Sequence, residues 1–590
     1  MTHRDVVRHA AFVPDAAPAF FAWAHHAPDA APRDAVAVIC GPIGSEYTRS
    51  HRSLRHLADR LARAGIPAVR FDYHGTGDSP GTDLDPGRVP AWLANIRAAA
   101  DLARRWSGRS KVILLGVRLG GTLAAIASAE VDPDGLVLWN APLKGKPYVR
   151  ELQAIAMTAA RAAESEGTLE AAGYQLTAET LDALRALDLG KAEIRARHAL
   201  VVARDDLAAD DALASRLAAL GIETESQSLP GWNGMMADHQ HTVVPAEALD
   251  RIVAHVSRWT QPTDAAAALP PLGAPDLPVS FADEGGAEST MEESVCRFGA
   301  DGHLFGVLTR ASRDPSLPAI LMFNGGPVHH VGPNRLYVTI ARSLAAMGFA
   351  CLRFDLEGLG DSVLRGPGRE NHPYPDHATA DAESAIAFLR AQGYRRFIAL
   401  GLCSGAHAAF HAGLRFNEDV QDLVLINPWA FYWKEGMSLD VGATIVDAKS
   451  YKKSMRDPSR WLKLLRGDVN LRRLLEVAMR QPTTIARSYY GVLCERLAPS
   501  KAPALARDLR RLLQSERKVT VLMAENEPAA DMIMADAKFT ATRALREGRL
   551  RFETIEGGDH TFTQARTRKA LLARVKEHLR PRLPGPRLAA

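Results

Sequence analysis

A short apolar run, Phe397 to Leu400, leads into Gly401-Leu402-Cys403-Ser404-Gly405-Ala406. A strand that breaks into glycine-x-nucleophile-x-glycine and then a helix holds its middle residue in a tight, strained turn, with the side chain raised at the helix N-terminus. Here the middle residue is Cys403. Serine is the commoner occupant, but Ser404 lies one residue out of frame, where the same turn aims its side chain elsewhere. A thiol at a helix N-terminus beside a histidine has a lowered pKa, which supplies thiolate at neutral pH. The competing reading is a small buried cysteine at a strand end, since free cysteine is often buried.

The partners of such a nucleophile follow in the order acid, then histidine. Lys518 to Ala524 reads as a late strand, and Glu525-Asn526-Glu527-Pro528 as the loop after it. Glu527 is the expected acid, with Glu525 and Asp531 as alternatives. Leu550 to Ile555 reads as the last strand, followed by Glu556-Gly557-Gly558-Asp559-His560, so His560 is the expected base. An oxyanion hole needs backbone N–H donors. The expected donors are Ser404 and either Gly325 or Gly326, from the loop Asn324-Gly325-Gly326-Pro327-Val328-His329-His330. His329 and His330 are placed as pocket-lining residues, because adjacent histidines without further ligand spacing make a weak metal signal. His407 and His411 share a helix face but have no evident third ligand, and they read as packing or pocket residues. Dinucleotide, P-loop and zinc-protease motifs are absent, so neither metal nor cofactor is expected.

These residues sit in the second of two copies of one pattern. Arg70-Phe71-Asp72-Tyr73-His74-Gly75-Thr76-Gly77-Asp78-Ser79 returns as Arg353-Phe354-Asp355-Leu356-Glu357-Gly358-Leu359-Gly360-Asp361-Ser362, with seven of ten positions identical. Strand-and-turn landmarks repeat on both sides: Val36 to Cys40 matches Ala319 to Phe323, and Leu136 to Trp139 matches Leu423 to Ile426. Apolar β-rich runs alternate with helical stretches such as Leu54–Ala64 and Tyr337–Ala346. That alternation predicts an α/β class, a mostly parallel sheet with helices on both faces, in two tandem domains. The expected boundaries are 1–260, a linker at 261–286 rich in Pro, Ala and Gly, and 287–590. The second domain opens on a hairpin at Val295–Phe298 and Leu304–Leu308 and carries a helical cap at about 430–517.

The first copy departs at the decisive place. Its turn is Gly116-Val117-Arg118-Leu119-Gly120, and a guanidinium, always protonated, cannot attack a carbonyl. Asp205, Asp206, His239 and His241 lie where an acid and a base belong. Two readings of Arg118 stand: an anion-binding residue for a carboxylate or phosphate, or a structural residue paired internally with an aspartate. A cation at a helix N-terminus is disfavoured without a partner, so an anionic group is expected beside it.

The 590-residue chain is 47% hydrophobic and 24% charged, which excludes disorder over most of its length. Its 72 basic against 68 acidic side chains leave +4, too thin an excess for a nucleic-acid protein. Five scattered cysteines form no disulfide framework, and no apolar run approaches the ~18 residues of a membrane span. The segment Met1 to Ala11 has no apolar stretch after its charges, so a cytoplasmic location with reduced thiols is expected.

Both halves resemble the α/β-hydrolase superfamily, and within it the paired hydrolases associated with exosortase and exopolysaccharide gene clusters. One type in those pairs resembles the first copy, with arginine in Gly116-Val117-Arg118-Leu119-Gly120. The other resembles the second in Gly401-Leu402-Cys403 and in Asn324-Gly325-Gly326-Pro327 through Val331-Gly332-Pro333-Asn334-Arg335-Leu336. The resemblance implies the fold and leaves the substrate open. Here Asn526-Glu527-Pro528 replaces the family's usual Gly-Asp-Pro acid loop.

The resulting expectation is an active Cys403–His560–Glu527 site beside a catalytically dead first domain. Acyl transfer or hydrolysis would run through a cysteinyl thioester, with an acyl-CoA, acyl-carrier-protein or ester donor and water, an amine or an alcohol as acceptor. The alternatives are a plain esterase or peptidase-like hydrolase, and a non-catalytic tandem scaffold.

Overall fold

The computed structural model describes residues 5–158, 167–207, 211–282, 288–434, 437, 493–514 and 517–583. They fall into two compact units. One comprises Met1–Arg313, Pro327–His372 and Thr563–Ala565; the other comprises Asp314–Gly326, Pro373–Phe562 and Arg566–Ala590.

The first unit contains an eight-stranded sheet. Its strands are β1 (Val7–Val13), β2 (Phe20–His26), β3 (Ala35–Cys40), β4 (Ala68–Asp72), β5 (Lys111–Val117), β6 (Gly135–Trp139), β9 (His198–Arg204) and β10 (Glu223–Leu229); β7 (Thr168–Ala171) and β8 (Tyr174–Thr177) form a separate hairpin. The spatial order is β1-β2-β4-β3-β5-β6-β9-β10. Only the β1–β2 and β2–β4 pairings are antiparallel. Strand β5, Lys-Val-Ile-Leu-Leu-Gly-Val, is buried from its second residue onward because helices cover both faces, which is why it reads as an unbroken apolar run. Helices α1 (Ser45–Arg63), α2 (Arg88–Ser107) and α3 (Leu119–Val131) follow β3, β4 and β5.

The same unit holds β11 (Asp276–Ala282), β12 (Glu288–Phe298), β13 (Leu304–Arg310) and β15 (Cys351–Phe354), paired antiparallel in that order. The expected hairpin is therefore present as β12–β13, with Arg297 opposite Phe305. The stretch read as linker is corrected in part, since residues 276–282 alternate buried and exposed side chains and zip onto β12. Phe12, Phe21 and Trp23 pack there with Leu277, Val279, Phe305 and Val307.

The repeated ten-residue motif builds a buried ionic cluster within this unit. In each copy the first aspartate accepts the N–H of the second (Asp78 to Asp72, Asp361 to Asp355, both 2.9 Å), and the closing serine hydroxyl returns to the first aspartate's carbonyl at 2.6 Å. The arginines are exchanged: Arg353 of the second copy binds Asp78 at 2.6 Å, and Arg70 of the first binds Asp361. His330 bridges Asp355 (2.8 Å) and Asp78 (2.7 Å), while His329 stacks on His51 at 4.0 Å. These two histidines are thus core residues of the ionic cluster, not the pocket-lining residues expected. Burial opposes charge on His330, but the two aspartates outweigh it and push its pKa up to about 10. His330, Asp355 and Asp361 bring ligand atoms within 4.8 Å of one another, yet Arg70, Arg353 and the protonated His330 already balance their charge.

The second unit holds the parallel strands β14 (Ala319–Phe323), β16 (Phe397–Leu402), β17 (Val420–Ile426), β18 (Lys518–Ala524) and β19 (Leu550–Ile555), in that spatial order. Helix α4 (Ser404–Arg415) follows β16 directly. The cap expected at about 430–517 lies mostly outside the described residues; of it, Ala504–Leu512 is a helix.

Candidate active site

Strand β16 delivers Cys403 at its C-terminal end, between β14 and β17. Its backbone takes φ 57°, ψ −117°, a strained turn for a residue with a side chain. The turn is locked by Cys403 N–H donating to the Ile426 carbonyl at 2.9 Å and by Ala406 N–H donating back to the Cys403 carbonyl at 3.1 Å. Glycine is required at 405 because a methyl group there would collide with the carbonyl oxygens of Phe323 and Asn324. Of the five cysteines, Cys403 alone is partly exposed; Cys40, Cys296, Cys351 and Cys494 are buried.

His560 stands in the loop after β19 and directs Nδ1 to Glu527 Oε1 at 2.8 Å. Its ring packs edge-on against Trp429, with centroids 5.1 Å apart. Burial works against the imidazolium, but Cys403 on one side and Glu527 on the other prevail and push the His560 pKa up to about 10. Glu527 follows β18, Asn526 before it taking φ 72°. Glu525 is turned away and accepts the Gly557 N–H at 3.0 Å, while Asp531 lies in the following helix, Ala529–Asp536.

Asn427, just past β17 at φ 44°, ties the loop after β18 to the loop that carries His560. Its Nδ2 donates to the His560 carbonyl and its Oδ1 accepts the Ala524 N–H, both at 2.7 Å. No sequence motif singles it out. Tyr374 was missed altogether: burial first, then neighbouring Cys403, pushes its phenol well up, so it stays protonated. It stacks on Trp433 at 4.4 Å and meets His407 edge-on at 5.3 Å. No motif marks such a residue, since only packing brings position 374 to position 403. His407 is pushed down to about 3, burial being the largest cause, and His411 Nε2 donates to the Phe431 carbonyl at 2.8 Å. Both therefore belong to the aromatic wall, as packing or pocket residues.

Ser404 is buried, and its hydroxyl accepts the Gly326 N–H at 3.0 Å. The out-of-frame serine thus points at the loop after β14, and the Gly326 amide is engaged by it.

The first copy preserves the elbow with arginine in place of the thiol. Arg118 adopts φ 53°, ψ −127°, and its N–H donates to the Trp139 carbonyl at 2.9 Å, as Cys403 does to Ile426. Its guanidinium is met by Glu46 Oε1 at 2.7 Å and Glu151 Oε1 at 2.6 Å, so the anions it demands are glutamates and not the expected aspartate. Asp205 accepts the Gly231 N–H at 3.1 Å, Asp206 pairs with Arg204, and His239 with Asp238, so these residues do not assemble with Arg118.

Two strained elbows at the ends of corresponding central strands match what comparison shows. Residues 32–217 match the family model described as serine aminopeptidase, S33, and residues 320–574 match that of the alpha/beta hydrolase family. The chain carries two tandem α/β-hydrolase domains. No curated protein matches the tandem hydrolase in sequence. Among solved structures it is similar to Est1E from Butyrivibrio proteoclasticus, at 15% identity over 42% of this chain and 97% of that one, TM-score 0.32. It is also similar to XC6422 from Xanthomonas campestris, an a/b serine hydrolase without lid, at 16% identity over 43% of this chain and 94% of that one, TM-score 0.29. A third is an esterase from Pyrobaculum calidifontis, at 16% identity over 44% of this chain and 86% of that one, TM-score 0.30. No described helix of the tandem hydrolase is long and apolar enough to cross a membrane.

Proposed function

We propose that the tandem hydrolase cleaves or transfers an acyl group through a thioester on Cys403, with His560 as base and Glu527 as the acid that orients it. The observation that carries this reading is the joint placement of the one partly exposed thiol on a strained elbow with a histidine held by a buried carboxylate at 2.8 Å. The thiolate attacks the acyl carbonyl, and the imidazolium of His560 hands its proton to the departing thiol or alcohol. Water, an amine or an alcohol then attacks the thioester, His560 taking its proton, and the acyl–sulfur bond breaks to release the Cys403 thiolate. The Ser404 and Gly325 amides are the oxyanion donors of this reading, since Gly326 N–H is engaged by the Ser404 hydroxyl. Thiolate exchanges readily with thioesters, which favours an acyl thioester donor such as acyl-CoA or an acyl carrier protein over an oxoester. The first copy serves as a non-catalytic partner domain.

The test is intact mass after exposure to excess short-chain acyl thioester, for wild type, Cys403→Ala and His560→Ala. An acyl adduct on wild type that Cys403→Ala abolishes supports the reading. An adduct that survives Cys403→Ala transfers the role to Ser404. Neither adduct nor product from thioesters, esters and amides sinks the catalytic reading in favour of a scaffold.

A further inference from the structure

Tyr374 stands in the loop before the helix Ala378–Ala391, between Pro373 and Pro375. Proline fixes its own φ and holds the residue before it in an extended conformation, so the Tyr374 ring enters the site with little backbone freedom. Only 4% of the residue is exposed. The ring stacks on Trp433 with centroids 4.4 Å apart and meets His407 edge-on at 5.3 Å. His407 follows Cys403 by about one turn of α4, and its N–H donates to the Cys403 carbonyl at 3.4 Å. Packing against that turn sets the phenol at the elbow, beside the thiol.

The phenol keeps its proton, because burial first and then the adjoining Cys403 oppose phenolate. Beside the sulfur it is therefore a donor and not a base. A thiol sulfur is a weak acceptor, whereas hydrogen bonds to an ionised group are about twice as strong as neutral ones. The contact thus gains strength when Cys403 loses its proton. We infer that Tyr374 donates its O–H to the Cys403 thiolate, as a second donor beside His560. The inference rests on the thioester reading of this site for the chemistry that the thiolate performs. The proton that Cys403 gives up goes to His560, and Tyr374 releases none. The same bond steadies the sulfur when the acyl–sulfur bond breaks. Behind His560 stands Glu527 at 2.8 Å, and against the Tyr374 ring stands His407, kept neutral by burial.

The test is the pH profile of Cys403 alkylation by iodoacetamide on the full-length chain, with the label located by mass. Wild type and Tyr374→Phe are compared, and Cys403→Ala controls for the four buried cysteines. Thiolate is the form that reacts, so the rate climbs through the pH at which half of the thiol has ionised. Tyr374→Phe keeps the ring between Trp433 and His407 and removes only the O–H. It is expected to move that half-point up by about one pH unit, the roughly tenfold change in the thiol–thiolate balance that one hydrogen bond to a charged group supplies. A half-point that stays in place or moves down, or no label on Cys403 at any pH, overturns the inference. Acyl adduct formation from a short-chain thioester, followed in parallel, keeps the two readings apart. An adduct with an unmoved half-point rejects the role of Tyr374 alone. A half-point that moves up in a protein forming no adduct supports the Tyr374–Cys403 bond and rejects the thioester reading.

Discussion

Arg353 donates to Asp78 at 2.6 Å, both fully buried and 275 residues apart, and the equivalent arginine of the first copy, Arg70, returns the contact to Asp361. Each copy of the motif thus neutralises the other's aspartate. The pattern repeated most faithfully in the chain is structural, and the copies differ at the elbow, where one carries Cys403 and the other Arg118.

Removing one side of that exchange leaves a charge buried without its partner. Arg353→Met is expected to destabilise the fold by about 3–5 kcal/mol, read as a lowered urea midpoint. A loss below about 1 kcal/mol would show that the cluster holds without it.

The raised pKa of His330 makes stability depend on pH. A histidine whose folded pKa lies near 10, against about 6.5 unfolded, contributes its full stabilisation below pH ~6.5 and loses it as pH rises toward 10. The urea midpoint is expected to fall across that window, and less steeply in His330→Gln. Equal slopes for the two proteins would assign the effect elsewhere.

If Glu527 orients His560 and stabilises its protonated form, Glu527→Gln lowers kcat by about 10²-fold to 10⁴-fold and moves the alkaline limb of the rate profile below pH 10. The same change at Glu525, which holds Gly557 instead, is expected to leave that limb in place. Parallel pH–rate profiles on one thioester distinguish them.

Asn427→Ala removes two hydrogen bonds, to the His560 carbonyl and from the Ala524 amide. The buried amide left behind costs about 1–3 kcal/mol. Because the His560 loop loses its anchor, kcat is expected to drop while KM changes little. A rise in KM at unchanged kcat would mean that Asn427 touches substrate instead of positioning the base.

Glu46→Gln, Glu151→Gln and Arg118→Met alter the ion cluster at the first copy's elbow and are expected to leave thioester turnover within about twofold of wild type. Steady-state rates on the full chain check this; a collapse with intact folding would make the first copy part of the reaction.

The sequence by itself determined what local geometry dictates. The α/β class, the duplication, the strained turn at Cys403 and the loop that carries His560 follow from glycine spacing, strand-helix alternation and chain order. Whether an anion faces Arg118 also followed, because a cation at a helix start needs one; which residues supply it did not. Tertiary structure alone set Glu527 against His560, brought Tyr374 to Cys403, drew His329 and His330 into a buried cluster and supplied Glu46 and Glu151 to Arg118. Local backbone preferences are encoded within a few residues of sequence. The partner of a buried charge is set by which strands and helices pack together, and here those partners lie 25 to 291 residues apart.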